Sequence, residues 1–193
     1  MEDVLVHMIT EPEALKKGLE ALTGTVVAFI KECMSNGAHV VHYLATRASR
    51  EIVTIDQYRE FGGVYDEAVF REVPNAPQIA HICGVEPLFE IAEEWRKTYK
   101  IVKGVSWWSQ GSTPNLVEAK ARWGDMCLVA GIDHANTFII GKPADVEKEV
   151  AQSCHDAMEG GGFILAPGCE PSPKTSKENL KAAVMAARKH GKY

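Results

Sequence analysis

MCLVAGI, residues 126–132, and ADVEKEVAQSCHDAM, residues 144–158, are a strand pattern and a helix pattern in close succession. The first run shows little polar alternation, which is typical of a strand in a parallel sheet that is covered on both faces. The second has apolar residues at helical spacing and follows Pro143, a residue type favoured in the first turn of a helix. Together the two runs predict one βα unit.

The same order of strand and helix recurs along the chain and predicts five βα units. A long helix that begins at residue 12 and ends at Asn36 precedes the first strand. Three later helices have start signals at Thr54, Asn115 and Thr175, each with Gln or Glu three residues further on. The other four predicted strands are HVVHYL (39–44), QIAHIC (78–83), IVKGVSW (101–107) and GFILAP (162–167).

Five βα units fit either a doubly wound sheet or part of a β/α barrel. A complete barrel needs about 250 residues, whereas this chain has 193. The length, and the helix ahead of the first strand, favour a barrel section without its first three strands. We therefore expect a partial TIM (β/α) barrel of the α/β class, formed by residues 1–193 as a single domain.

Composition and charge narrow the classes of function. With 46% hydrophobic and 24% charged residues, the chain has the composition of an ordinary globular domain. Lys and Arg number 21 and Asp and Glu 26, and the net charge of −5 disfavours nucleic acid as a partner. No secretion signal and no run of about 18 apolar residues occurs, so we expect a cytoplasmic protein without a membrane span.

Histidine and cysteine side chains occur at the C-terminal ends of two predicted strands. His81 and Cys83 lie two residues apart, so both side chains leave the same face of the second strand. Cys169 follows the last strand in a Pro-Gly-Cys turn. β/α barrels keep their active sites at this end, and one His with two Cys is a plausible zinc set that leaves a fourth position open. The competing interpretation is a chance His-x-Cys match with cysteines that only pack.

The remaining cysteines are expected to pack rather than to bind metal. Cys33 and Cys154 fall on predicted helices, and Cys127 falls in the middle of a predicted strand. An odd number of widely spaced cysteines without an export signal also argues against a disulfide framework.

Four stretches carry a family resemblance: HICG (81–84), GKPADVEKEV (141–150), GGGFILAPGCE (160–170) and PKTSKENLKA (173–182). They resemble the C-terminal half of the uroporphyrinogen decarboxylase superfamily, especially its cobalamin-dependent methyltransferases of the methylcobalamin:coenzyme M type. In that branch a His-x-Cys pair and a distant Cys in a Pro-Gly-Cys turn hold zinc, and His81, Cys83 and Cys169 match these positions. The resemblance implies a zinc cofactor, a corrinoid (methylcobalamin) carried by a partner protein, and methyl transfer between that corrinoid and a small thiol.

Departures from the family pattern leave other site residues open, and no catalytic residue is identified. Ser106 stands where the family often has an acidic residue at a strand end. Trp107 and Trp108, which follow it, either line a corrinoid-sized mouth or pack in the ordinary way. Asp133 either orients a ligand or a histidine, or caps the next turn.

Three basic residues near the first strand are weaker candidates. Arg47 and Arg50, in the loop after that strand, could meet an anionic group of a substrate. His42, within the strand, is expected to be a core or rim residue rather than a metal ligand.

Two alternative functions remain open from sequence. One is uroporphyrinogen decarboxylase-type activity in tetrapyrrole biosynthesis, although the resemblance places the decisive aspartate of that enzyme outside this chain. The other is a non-catalytic remnant that binds a partner. Because the first and last strands would have open edges, we also expect a homo-oligomer or an association with an N-terminal half-barrel.

Overall fold

The computed structural model describes residues 2–192, which form one parallel sheet and the helices that pack against it. No helix in this range is long and apolar enough to cross a membrane. The strands are β1 (Val41–Ala45), β2 (Gln78–Ile82), β3 (Val102–Ser106), β4 (Cys127–Ile132) and β5 (Phe163–Pro167). The helices are α1 (Glu2–Thr10), α2 (Pro12–Ser35), α3 (Ile55–Tyr58), α4 (Val64–Glu72), α5 (Phe89–Thr98), α6 (Leu116–Arg122), α7 (Thr137–Ile140), α8 (Pro143–Ala157) and α9 (Lys177–His190).

The strands lie in the order β1-β2-β3-β4-β5, and every neighbouring pair is parallel. At least one helix follows each strand along the chain. This arrangement is a section of a β/α barrel, and it confirms the predicted α/β fold class. Within the described range, β1 and β5 each pair on one side only, so the sheet has two free edges.

Alternation along the strands separates a helix-covered face of the sheet from its opposite face. Leu128 of β4 and Phe163 of β5 pair in register and are both buried in the main core against the helices. On the opposite face, Leu44 of β1 and Ile164 of β5 are about half exposed. Leu44 is the register partner of His81. The face that carries His81 is therefore open to solvent at both edges of the sheet.

The helix α2 confirms the predicted long helix, but three of its apolar side chains are not covered by the described residues. Leu22, Val26 and Phe29 are exposed, Phe29 to 68%, and Ile30 is the buried residue of this helix. The helix α1 packs against α2 and leaves Ile9 80% exposed. An apolar surface therefore runs along α1 and α2.

The helical segment after β1 begins as predicted and then changes its winding. Thr54 forms the expected capping box, and so does Asn115 at the start of α6. A π-helical turn, Arg59–Gly63, then joins α3 to α4. Across this turn, the Tyr58 hydroxyl donates a hydrogen bond to the Asp66 carboxylate at 2.8 Å.

Two local predictions were wrong. The N-cap of α9 is Ser176, whose hydroxyl accepts a hydrogen bond from the backbone N–H of Asn179 at 3.1 Å. The hydroxyl oxygen of Thr175 is buried and has no hydrogen-bond partner among the described residues, so it does not cap the helix. Cys127 is the first residue of β4 rather than a mid-strand residue, since the residue before it still belongs to the turn that follows α6.

Candidate metal centre

His81, Cys83 and Cys169 lie together at the C-terminal edge of the sheet. His81 belongs to β2, Cys83 follows that strand directly, and Cys169 lies in the turn after β5. Their ligand atoms all lie within 4.8 Å of one another. Because the C-terminal ends of parallel strands share one edge, the fold brings together two cysteines that are 86 positions apart.

A glycine lets each cysteine-bearing turn approach a neighbouring loop. Gly84, beside Cys83, has φ +121°, and a Cβ there would lie 2.3 Å from the Ser49 hydroxyl oxygen. Gly168, beside Cys169, would place a Cβ 2.6 Å from the Cα of Trp108. The positions of both thiols therefore depend on the absence of a side chain at the adjacent residue.

His81 presents one free ring nitrogen to the site. Its Nδ1 lies 3.2 Å from the Ser106 hydroxyl, whereas its buried Nε2 has no hydrogen-bond partner among the described residues. Burial, together with nearby His42 and His134, lowers the pKa of His81 to about 4. The imidazole is therefore neutral at pH 7, which is the state that binds a metal ion.

The two thiols are in contact but are not bonded. The Sγ atoms of Cys83 and Cys169 lie 3.8 Å apart, and both cysteines are free. Burial, helped by Cys169, raises the pKa of Cys83 to about 11, while the positive charge of Arg47 acts in the opposite direction. Cys83 therefore keeps its proton at neutral pH until a metal ion displaces it.

These three side chains fit a tetrahedral zinc ion. Two thiolates bound at about 2.3 Å in tetrahedral geometry lie about 3.8 Å apart, which is the separation found between Cys83 and Cys169. The unpartnered Nε2 of His81 supplies a third donor of a type that zinc prefers. Metal binding itself remains a prediction, and the arrangement of the donors is consistent with it.

Trp108, Asp133 and His134 lie beside the cysteine turn of β5. The indole N–H of Trp108 donates a hydrogen bond to Asp133 at 3.0 Å, and its ring meets His134 edge-on at 5.2 Å. Asp133 also accepts hydrogen bonds from the backbone N–H groups of Ala135 and Asn136. Asp133 thus caps the turn, as one alternative proposed, and in addition fixes the Trp108 ring.

Trp107 does not reach the site, and the suggestion that it lines the mouth was wrong. Its side chain is fully buried on the helix-covered face, where it packs edge-on against Phe89 and Trp123. The indole N–H donates to the Pro114 carbonyl at 2.8 Å. Successive strand residues point to opposite faces, so Trp107 packs in the core and only Trp108 borders the site.

The sequence did not identify Ser106 or His42 as neighbours of the metal site. Ser106 is the register partner of His81 on the adjacent strand, and its position at a strand end is the signal that could have identified it. His42 places its ring 5.6 Å from that of His81.

Of the two candidate arginines, Arg50 forms an ion pair with Glu90 and is therefore already partnered.

Comparison with known proteins gives a family match over nearly the whole chain. The model of the Uroporphyrinogen decarboxylase (URO-D) family matches residues 1–190. Relatives include the methylated-thiol–coenzyme M methyltransferase of Methanosarcina mazei, 26% identical, and the methylcobamide:CoM methyltransferase MtaA of Methanosarcina barkeri, 28% identical, each over 181 residues. These alignments cover 93% and 92% of this chain but 46% and 50% of the relatives. The chain thus spans about half the length of the curated relatives that it matches.

A solved structure supports the same assignment at the level of the fold. A methyltransferase from Methanosarcina mazei superposes with a TM-score of 0.78 at 21% sequence identity, over 99% of this chain and 54% of that chain. The likeness confirms the predicted barrel section. Since the family model covers nearly every residue, the resemblance inferred from the sequence is confirmed as well: this chain belongs to the uroporphyrinogen decarboxylase family.

Proposed function

We propose that the chain carries the zinc site of a corrinoid-dependent methyltransferase that moves a methyl group between a corrinoid and a thiol. The observation that carries the proposal is the cluster of His81, Cys83 and Cys169, with ligand atoms within 4.8 Å of one another. By their names, the relatives act on coenzyme M and, for MtaA, on methylcobamide. Their chemistry supports a reaction of this type for the present chain.

Each residue of the cluster has a distinct part in this proposal. Zinc bound there would lower the pKa of a substrate thiol and so supply thiolate near neutral pH. His81 would bind through Nε2 while Ser106 holds the ring at Nδ1. Cys83 and Cys169 would each lose a proton on binding. With three ligands from the protein, the fourth position is left for the substrate thiol.

Trp108 would form the wall next to the transferred methyl group. Its ring is held by the hydrogen bond to Asp133, and its backbone is packed against Gly168. We propose that this fixed aromatic surface meets the apolar part of a corrinoid carried by a partner protein. A corrinoid bound there would supply the methyl group, and the thiolate sulfur would accept it.

Zinc analysis combined with a methyl-transfer assay tests the proposal. The purified chain is expected to hold one zinc ion, and Cys83→Ala to hold none, whereas Cys154→Ala, which changes a buried cysteine of α8, keeps the metal. Loss of methylcobalamin absorbance on addition of coenzyme M would report transfer. A wild-type chain without zinc, or full zinc in the Ala variants of all three ligands, would contradict the metal assignment.

Uroporphyrinogen decarboxylase-type activity is the alternative within the same family. It does not require the three-ligand cluster, so it predicts conversion of a tetrapyrrole carboxylate by metal-free protein. Turnover of that substrate by the His81→Ala variant at the wild-type rate would favour it over methyl transfer.

We further propose that the chain associates through its exposed apolar surface, with a second copy or with an N-terminal half-barrel. Leu22 and Phe29 of α2 are exposed, and the sheet has free edges at β1 and β5. Light scattering at micromolar concentration should give a mass above the 21.2 kDa of one chain. Phe29→Glu should lower that mass, and Val117→Glu, at an exposed apolar position of α6, should not. A stable wild-type monomer that binds no N-terminal half would refute the association.

A further inference from the structure

The sulfur atoms of Cys83 and Cys169 are close enough to bond to each other when no metal ion lies between them. They lie 3.8 Å apart, and both thiols are free. A disulfide joins its sulfurs at about 2.05 Å, so each sulfur has to move by only about 0.9 Å. The geometry that suits a metal ion is therefore also near to that of a covalent bond.

Both cysteines lie outside the ladders of the sheet, so this movement does not disturb the strands. Cys83 follows Ile82, the last residue of β2, and Cys169 lies two positions after Pro167, the last residue of β5. The register pairs of both strands end before the cysteines. A small shift of the two turns, or a rotation of the two side chains, therefore brings the sulfurs together without breaking a strand pair.

Exposure and pairing distinguish these two cysteines from the other three. Cys83 and Cys169 are half-buried, so a small oxidant can reach their sulfurs. Cys33 and Cys127 are half-buried as well, but among the described residues neither has a second thiol in contact, and Cys154 is buried on α8. An internal disulfide is therefore expected at one pair of positions.

We propose that Cys83 and Cys169 are a site of reversible oxidation, at which a peroxide joins the two thiols in a disulfide. Hydrogen peroxide first transfers one oxygen to one sulfur, which gives a sulfenic acid and one water molecule. The second thiol then attacks this sulfur, and the S–S bond forms as the S–O bond breaks and a second water molecule leaves. In total the two sulfurs lose two electrons and two protons, and the peroxide is reduced to water.

The disulfide controls whether a metal ion can bind, a consequence that rests on the proposed zinc function. Oxidation removes two of the three donors of the cluster and leaves the Nε2 atom of His81. One imidazole does not hold zinc, because a zinc site with an open position needs three ligands from the protein. A thiol reductant breaks the disulfide by exchange and restores the site.

Thiol counting and peptide mapping on the metal-free, reduced chain test the pairing. After treatment with a small excess of hydrogen peroxide, the free thiols counted in the denatured chain should fall from five to three, and mapping should link the peptides of Cys83 and Cys169. Cys83→Ser should form no internal disulfide, whereas Cys127→Ser, which removes a half-buried cysteine without a partner, should form it as the wild type does. The unfolded wild-type chain, oxidised in the same way, should give a mixture of pairs.

A second measurement, on the zinc-loaded chain, tests the effect on the metal. Peroxide should release about one zinc ion per chain, detected with a chromophoric chelator, and dithiothreitol followed by added zinc should restore the occupancy. Five free thiols after oxidation of the folded metal-free chain, or a link between any other pair, would overturn the proposal, as would a disulfide that leaves zinc bound. Mapping of the wild type gives this answer even if Cys83→Ser unfolds. Disulfide formation in a chain that binds no zinc would support the pairing and contradict the proposed zinc function, so the two failures are distinguishable.

Discussion

Two buried polar clusters lie on opposite faces of the sheet, and they differ in how their polar atoms are used. On the helix-covered face, the two carboxylate oxygens of Asp66 accept hydrogen bonds from the hydroxyl groups of Tyr43 and Tyr58. On the other face, His81 keeps an Nε2 atom without a hydrogen-bond partner among the described residues, and the sulfur of Cys83 lies 3.8 Å from the sulfur of Cys169. Buried polar atoms normally find partners, so the first cluster is complete within the chain and the second is built for a ligand from outside it.

The comparison also separates two causes of shifted pKa values. Burial dominates both, raising the pKa of Asp66 to about 6 and lowering that of His81 to about 4. For Asp66 the neutral state is favoured although hydrogen bonds to the carboxylate oppose it. For His81 the neutral state is the one that binds metal. Burial of the Asp66 carboxylate therefore lowers the stability of the fold when this group is charged. Burial of His81 instead keeps its imidazole in the neutral state that can bind a metal ion.

Removing a metal ligand should give the largest effect. We expect His81→Ala and Cys83→Ala to lower zinc affinity by more than about a hundredfold, beyond the loss typical of a group that only supports a ligand. Competition with a chromophoric chelator at pH 7.5 measures this. Affinity should rise with pH up to the Cys83 pKa of about 11, because binding releases the thiol proton. An unchanged zinc affinity in these variants would indicate that the cluster around His81, like the one around Asp66, has only a structural role.

Asp66 should make the stability of the fold depend on pH. Folding raises its pKa from 3.8 to about 6, so stabilisation present below pH 4 is lost as the pH rises through 6, to a total of about 3 kcal/mol. Asp66→Asn stays neutral at every pH; its amide oxygen can accept a hydrogen bond from one tyrosine hydroxyl and its NH₂ group can donate to the other, so its free energy of unfolding should vary less over this range. Urea denaturation at a series of pH values would show identical profiles for the two proteins if this interpretation were wrong.

Gly84→Ala tests how far the turn at Cys83 depends on glycine. The new Cβ meets Ser49 at a residue with φ +121°, and we expect a loss of about 2 kcal/mol in unfolding free energy. Gly37→Ala is the matched control, since Gly37 has φ +97° but open space around it, and should lose about 1 kcal/mol. Equal losses would mean that the contact with Ser49 relaxes without cost.

The smallest effect is expected at Ser106. Ser106→Ala removes the hydroxyl beside Nδ1 of His81 but leaves the ligands in place, so zinc affinity should fall by about tenfold. Ser153→Ala, which removes another buried hydroxyl, bound to the Gly131 carbonyl, should not change affinity. Chelator competition distinguishes the two, and a similar loss in both would indicate a general effect on packing.

The sequence contains the order of elements and part of the candidate site. The two-residue spacing of His81 and Cys83 at the end of a strand predicts a shared face, and the structure places both at that edge of the sheet. Cys169 could be joined to them only through the predicted topology, in which the C-terminal ends of parallel strands share one edge, and through the family resemblance, because nothing local links residues 86 positions apart. Local chemistry thus predicted the pair, and the barrel topology was needed to complete the group of three.

The errors of prediction come from tertiary contacts that a local pattern does not contain. Trp107 and Trp108 look equivalent in sequence, yet strand alternation buries the first and leaves the second beside the site. Arg47 and Arg50 also look alike, and only the position of Glu90 on α5 shows that one of them is paired. The long helix α2 was predicted correctly, but whether Phe29 is covered depends on partners beyond the helix itself.

The π-helical turn Arg59–Gly63 changes the direction in which the side chains of α4 point around the helix axis, relative to those of α3. In an uninterrupted α-helix, Tyr58 and Asp66 would point about 80° apart around the axis, since eight residues advance by 100° each. The wider turn underwinds the segment, so the tyrosine hydroxyl and the carboxylate meet at 2.8 Å. An insertion or deletion of one residue in this turn would rotate all of α4 relative to α3. The length of the segment is thus as much a constraint on the Asp66 cluster as the identity of its residues.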